Sequence, residues 1–172
     1  MRVNLETPPD GSWEPRIVGI LCYWCTYAGA DLAGSSRIQY PPNVRVVRVP
    51  CSGRVDPLLV LRAFARGADG VVVSGCHPGD CHYSKGNYYS RRRMSMLKRL
   101  VEFVGIPTER FRVHWVSAGE GIQWAQIVRE MTDQVRQLGP LRPGFASIPW
   151  AAHASVAPEP EPEGAAAGGN AT

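Results

Sequence analysis

Long apolar runs are missing from this chain of 172 residues; none approaches the ~18 consecutive apolar side chains that a membrane span needs. The opening stretch MRVNLETPPDGSWEP has no apolar segment of the secretory kind. The chain therefore reads as neither membrane-spanning nor exported, and a cytoplasmic location is expected. No period recurs along it, which excludes collagen, coiled-coil and solenoid architectures. The G-x4-G-K-[ST] phosphate loop is absent. Gly119-Glu-Gly121 begins a G-x-G-x-x-G pattern, but Trp124 stands at its third glycine, so the segment reads as a tight turn into a helix. No independent catalytic site is expected. Lysine is scarce as well: Lys85 and Lys98 are the only two among 19 basic side chains, the rest being arginine. The formal net charge is +4, and residues 151–172 hold Glu159, Glu161 and Glu163 with no Lys or Arg. A mild basic excess suits a solvated surface or an acidic partner. Nucleic acid is not expected, because the arginines come without a base-stacking module.

What remains is 44% hydrophobic and 20% charged, enough for a packed core. Arg16–Tyr23 (RIVGILCY), Val44–Cys51 (VRVVRVPC), Gly70–Cys76 (GVVVSGC) and Phe111–Ser117 (FRVHWVS) read as strands, short and β-branched. Between them lie helical stretches. Thr26–Ser36 is built of small residues. Leu58–Arg66 follows Asp56-Pro57, a capping residue with proline at the first helical position, and its composition suits a buried helix. A third helix is expected from about Ser90 to Val104, with apolar positions 94, 97, 100, 101 and 104 on one face, after a polar loop over His77–Tyr89. The last runs from Glu120 to Leu138 with apolar positions 124, 128, 131, 135 and 138, and Gly139-Pro140 stops it. Strands alternating with helices predict an α/β fold: a four-stranded parallel sheet with helices on both faces, in flavodoxin-like order with strand 1 between strands 2 and 3. Residues 1–15 form an extended lead-in and residues 16–139 the domain. Residues 140–172 form an irregular tail rich in Pro, Ala and Gly, with disorder expected over about its last twenty residues and Phe145–Trp150 apolar enough to dock on the domain or a partner.

Five cysteines dominate the chemistry. An odd number in a chain without an export signal argues against a disulfide framework and for metal or redox use. Cys22 ends the first strand and Cys25 lies three residues on. Cys51 ends the second strand, Cys76 the third, and Cys81 sits in the loop beyond. In a parallel sheet those carboxyl ends share one edge, with neighbouring strands ~4.8 Å apart, so distant stretches of sequence converge. Four thiolates in a small space suit zinc or an iron–sulfur cluster. The ligands would come from strand ends rather than from two C-x2-C knuckles, which weakens a structural zinc site. Cys22-Tyr-Trp-Cys25 after a strand also fits thiol–disulfide exchange, though that leaves three cysteines on the same edge without a role. The spacing alone permits [4Fe–4S].

The flanking residues fit a buried centre. Gly29, Gly53, Gly75 and Gly79 let backbone pass close, and Tyr23, Trp24, Tyr27 and Tyr83 can shield it. His77 and His82 are candidates to hydrogen-bond a sulfur or to ligate. Asp31, Asp56 and Asp80 are expected to cap helices or to pair with Arg54 and Arg91–Arg93. The basic, aromatic segment Lys85–Arg93 is a candidate docking surface.

The segments CYWCTYAGADLAG, PCSGRVDP, GADGVVVSGCHPGDCHY with the following KGN, and WVSAGEG together closely resemble the delta-subunit family of methyl-viologen-reducing (F420-non-reducing) [NiFe] hydrogenase. The resemblance covers about Arg16–Leu138. It implies an iron–sulfur electron-transfer subunit with one [2Fe–2S] cluster, relaying electrons between [NiFe] hydrogenase subunits and the flavin-containing, A-type component of heterodisulfide reductase. Cys22, Cys25, Cys51, Cys76 and Cys81 all match family cysteine positions, four of the five being expected as iron ligands. The proline- and alanine-rich tail departs from the family pattern.

Overall fold

The computed structural model describes residues 13–141. Four strands, β1 (Ile17–Cys22), β2 (Val44–Val49), β3 (Gly70–Gly75) and β4 (Phe111–Trp115), form one parallel sheet in the order β2-β1-β3-β4. Helices α1 (Thr26–Ser35), α2 (Pro57–Ala65), α3 (Gly86–Phe103) and α4 (Gly121–Leu138) connect or follow them, with short 3-10 turns at Ser52–Arg54 and Thr108–Arg110. The expected fold class and strand order are both present.

Alternation along the strands divides the core into two layers. Val71 and Val73 of β3 face Val60 and Phe64 of α2 and Met94, Leu97 and Val101 of α3. Val72 points the other way, to Ala33 of α1 and to Trp124, Val128, Met131 and Val135 of α4. All six residues of β3 are buried, as a central strand covered on both faces requires. β2 lies at the sheet's edge, and its Val46 and Val47 are exposed. Buried Arg110 ties the far end of the domain together. It donates to the carbonyls of Asp69, Leu138 and Gly139, the last two left unpaired by the end of α4.

Several expectations are corrected. α3 begins at Gly86, so the polar loop is shorter than the sequence suggests. The buried Asn87 amide donates to the His77 carbonyl at 2.5 Å and draws the first turn inward. α2 is not buried throughout: only Val60 and Phe64 are, while Leu58 and Leu59 face outward, because the helix sits at the periphery with one face on the sheet. Asp56 caps α2 as expected, its Oδ1 accepting from the Leu58 N–H at 2.8 Å. Asp31 lies exposed within α1, and Asp80 is exposed in the loop after β3. Among the described residues neither forms an ion pair, nor do Arg54, Arg91, Arg92 or Arg93; Arg93 donates instead to the carbonyls of Gly53 and Val55. Phe145–Trp150 and the end of the tail lie outside the described residues, as does most of the lead-in. No helix among the described residues is long and apolar enough to cross a membrane.

Losing the α2 cap should be measurable. Asp56→Ala is expected to lower unfolding free energy by about 1 kcal/mol, while Asp31→Ala should stay within about 0.5 kcal/mol of the parent. Urea denaturation of both variants checks the contrast.

Candidate metal centre

The register of β1 against both neighbours builds the site. Cys22 pairs with Val49 at the end of β2, and Leu21 pairs with Ser74 near the end of β3. Cys51 follows β2 by two residues and opens the Ser52–Arg54 turn; Cys76 directly follows β3. Cys25 precedes α1, and Cys81 sits in the loop before α3, bridged to Ser84. All five cysteines are free, none is more than 8% exposed, and together they form a contiguous cluster apart from the two hydrophobic layers. The convergence expected from strand-end placement is therefore present for every one of the five.

The sulfurs divide into a triangle and a pair. The Sγ atoms of Cys22, Cys25 and Cys76 all lie within 4.8 Å of one another, with Cys25 and Cys76 at 2.9 Å. Cys51 and Cys81 stand 3.7 Å apart. Protons are shared unevenly in the triangle. Hydrogen bonds from Cys25 and then Cys76 hold the Cys22 thiol down at about 2. The Cys22 partner in turn pushes Cys25 up to about 11 and raises Cys76 as well. In the pair, burial raises Cys51. Burial also opposes ionisation of Cys81, but backbone N–H groups of Tyr83, Asn87 and Gly86 and the Cys51 thiol outweigh it and leave Cys81 lowered. Ionisation is thus easier at Cys22 than at its neighbours in the triangle, and easier at Cys81 than at Cys51.

Backbone packs tightly round the pair. The Gly53 N–H donates to Cys51 Sγ at 3.4 Å. A Cβ added to Gly86 would collide with Cys51 Sγ and lie 3.0 Å from Cys81 Sγ; one added to Gly53 would lie 2.6 Å from the Gly86 carbonyl oxygen. Only glycines allow the turn after β2 and the start of α3 to close on these sulfurs. The buried Ser52 Oγ, Asn87 Oδ1 and Ser90 Oγ have no hydrogen-bond partner among the described residues. Beneath the triangle, the Thr26 and Ser74 hydroxyls stand 3.0 Å apart, within hydrogen-bond reach of the carbonyls of Val116 and His114 respectively. None of Ser52, Thr26, Ser74, Asn87 or Ser90 was distinguishable in the sequence. The adjacency of Ser52 to Cys51 and of Thr26 to Cys25 was the only signal.

The aromatic residues form a roof over the 22–25 and 81–85 segments. Trp24 stacks on His82 at 3.9 Å and donates its indole N–H to Tyr83 Oη at 3.2 Å; Tyr23 meets Trp24 edge-on. Arg48 lies over Tyr27 and Tyr23. Of the two histidines, His82 is thus occupied in stacking. His77 bonds Glu120 at 2.8 Å, and Glu120 also accepts from the Ser117 N–H. An open cleft of about 720 Å³ leads down to Cys51 between Pro50, Arg54, Tyr83, Lys85, Tyr89 and Arg93.

Two tests follow from this packing. Gly86→Ala should destabilise by about 1–3 kcal/mol through overpacking, whereas Gly34→Ala, helical with nothing within 4 Å of the new methyl, should stabilise by about 0.5–1 kcal/mol; thermal unfolding of the two compares them. The Ser117 N–H and then His77 hold the Glu120 carboxyl below its ordinary range. Its stabilisation is therefore present above the unfolded value and lost as pH falls through the folded one. Urea midpoints of the parent and Glu120→Gln should differ at neutral pH and converge on acidification.

Comparison with known proteins adds an independent line. Residues 17–139 match the family model described as methyl-viologen-reducing hydrogenase, delta subunit. The chain is 53% identical over 130 residues to the iron-sulfur D subunit of the F420-non-reducing hydrogenase of Archaeoglobus profundus, covering 76% of this chain and 95% of that protein. It is 50% identical over 129 residues to the vhc iron-sulfur D subunit of the F420-non-reducing hydrogenase of Methanococcus voltae, covering 75% and 90%. It also matches the A subunit of the ferredoxin/F(420)H(2)-dependent CoB-CoM heterodisulfide reductase of Methanosarcina acetivorans, at 45% identity over 140 residues, 81% of this chain but 18% of that much longer protein. With all five cysteines inside the matched stretch, the chain belongs to the methyl-viologen-reducing hydrogenase delta-subunit family.

Proposed function

We propose that the chain is an electron-transfer subunit holding one [2Fe–2S] cluster on four of its five cysteines. In this reading it relays electrons between [NiFe] hydrogenase subunits and a heterodisulfide reductase A-type flavoprotein, in the cytoplasm. The observation that carries the proposal is the burial of five unbridged thiols at a single point. The names of the relatives, hydrogenase iron-sulfur subunits and a heterodisulfide reductase component, support the same reading.

The donor set fits such a group. It is all sulfur, reduced and nearly shut off from water. Tetrahedral metal–thiolate bonds of about 2.3 Å set two ligand sulfurs ~3.7 Å apart, and Cys51 and Cys81 already have that separation. Those two would hold one side of the cluster, and its other side would be held from among Cys22, Cys25 and Cys76. The buried Ser52 Oγ, next to Cys51 in the chain and without a partner among the described residues, would be available to donate to sulfur there. When bound, the group supplies a one-electron redox centre. The chain's own residues fix it, exclude water, and set its potential through burial and the N–H groups of Gly53, Tyr83, Gly86 and Asn87. The cleft over Cys51, edged by Arg54, Lys85 and two tyrosines, supports docking of an acidic partner surface close to that iron. Its basic wall includes the start of α3, so the Lys85–Arg93 segment enters as a helix face rather than a loop.

A second reading has one specific observation in its favour: the lowered Cys22 thiol beside Cys25 and Cys76 fits thiol–disulfide exchange. Burial counts against it, since none of the three is more than 7% exposed to an incoming disulfide. A zinc-stabilised scaffold would leave a core that is already packed without metal on both sheet faces. Anaerobically purified protein separates these. The proposal expects visible absorbance, equal amounts of iron and acid-labile sulfide, and a two-iron paramagnetic resonance signal on reduction. A colourless protein, containing zinc or no metal, overturns it, and a four-iron signal overturns the cluster type.

A further inference from the structure

The triangle of Cys22, Cys25 and Cys76 offers three sulfurs where a two-iron cluster leaves room for two. Cys25 and Cys76 stand only 2.9 Å apart. Two corners of one tetrahedral iron lie ~3.7 Å apart, so these two sulfurs are too close to fill different corners as they stand. They converge on the same place from different elements. Cys25 comes from the turn before α1, and Cys76 from the end of the central strand β3. Cys51 and Cys81 have no such neighbour: they lie outside the triangle, and the backbone at Gly53 and Gly86 packs tightly beside them.

We infer that Cys25 and Cys76 are alternative ligands for a single coordination position, with Cys22, Cys51 and Cys81 filling the other three. The inference rests on the iron–sulfur reading above and adds to it the identity of the shared position. Exchange is balanced without any redox partner. One Fe–S bond forms as the other breaks, the incoming thiol gives up its proton, and the outgoing thiolate takes one up. The two alternatives are held by different parts of the fold. Cys76 is anchored by β3, whose six residues are all buried, whereas Cys25 adjoins Trp24, 45% exposed in the aromatic roof.

The test uses the full chain, purified anaerobically, with alanine replacements because a serine oxygen can itself hold iron. Cys25→Ala and Cys76→Ala are each expected to retain iron and sulfide with a shifted paramagnetic resonance signal. The double variant is expected to lose both, as are Cys22→Ala, Cys51→Ala and Cys81→Ala singly. An iron-loaded parent whose Cys25→Ala or Cys76→Ala form is iron-free yet folded by circular dichroism overturns the shared position alone. So does a double variant that keeps its iron. An iron-free parent overturns the iron–sulfur reading itself.

Discussion

Parallel pairing of β1 with both β2 and β3 is the constraint on which this molecule depends. It forces the carboxyl ends of three strands, separated by dozens of residues in sequence, onto one rim. Cys22, Cys51 and Cys76 have no local reason to meet; the register alone brings them together, and the two short excursions to Cys25 and Cys81 complete the set. A sulfur cluster this dry carries a cost, since burial opposes the thiolate form that metal binding needs. Backbone N–H groups and neighbouring thiols offset that cost, and they do so unequally, lowering Cys22 and Cys81 while raising their neighbours.

The surroundings divide the labour in the same way. Around Cys51 and Cys81, glycine lets backbone close within contact distance, leaving no slack in that half of the site. Around the triangle, hydroxyls of Thr26 and Ser74 form a polar floor and half-exposed aromatics form a roof. The cleft lined by Arg54, Lys85 and Arg93 opens beside Cys51.

Much of this was legible in the sequence. β-branched runs marked the four strands within a residue or two, Asp56-Pro57 marked the start of α2, and the spacing of apolar residues located α4. Cysteine placement at strand ends was enough to foresee the rim. What escaped depended on tertiary contacts. The start of α3 is set by Asn87 reaching the His77 carbonyl and by Gly86 fitting between two sulfurs, neither of which has a periodic signature. α2 looked buried because Leu58 and Leu59 are apolar, but hydrophobicity does not say which face meets the sheet. Asp31 and Asp80 carried the right side chain for capping at positions where no helix begins. His77 and His82, close to cysteines in sequence, turn to Glu120 and Trp24 instead.

The claim that these sulfurs together grip iron is tested most directly by iron K-edge absorption fine structure on the anaerobic protein. The account predicts a first shell made only of sulfur and, beyond it, a single iron neighbour at short range. Oxygen or nitrogen in that first shell, or an iron with no iron beside it, would contradict it.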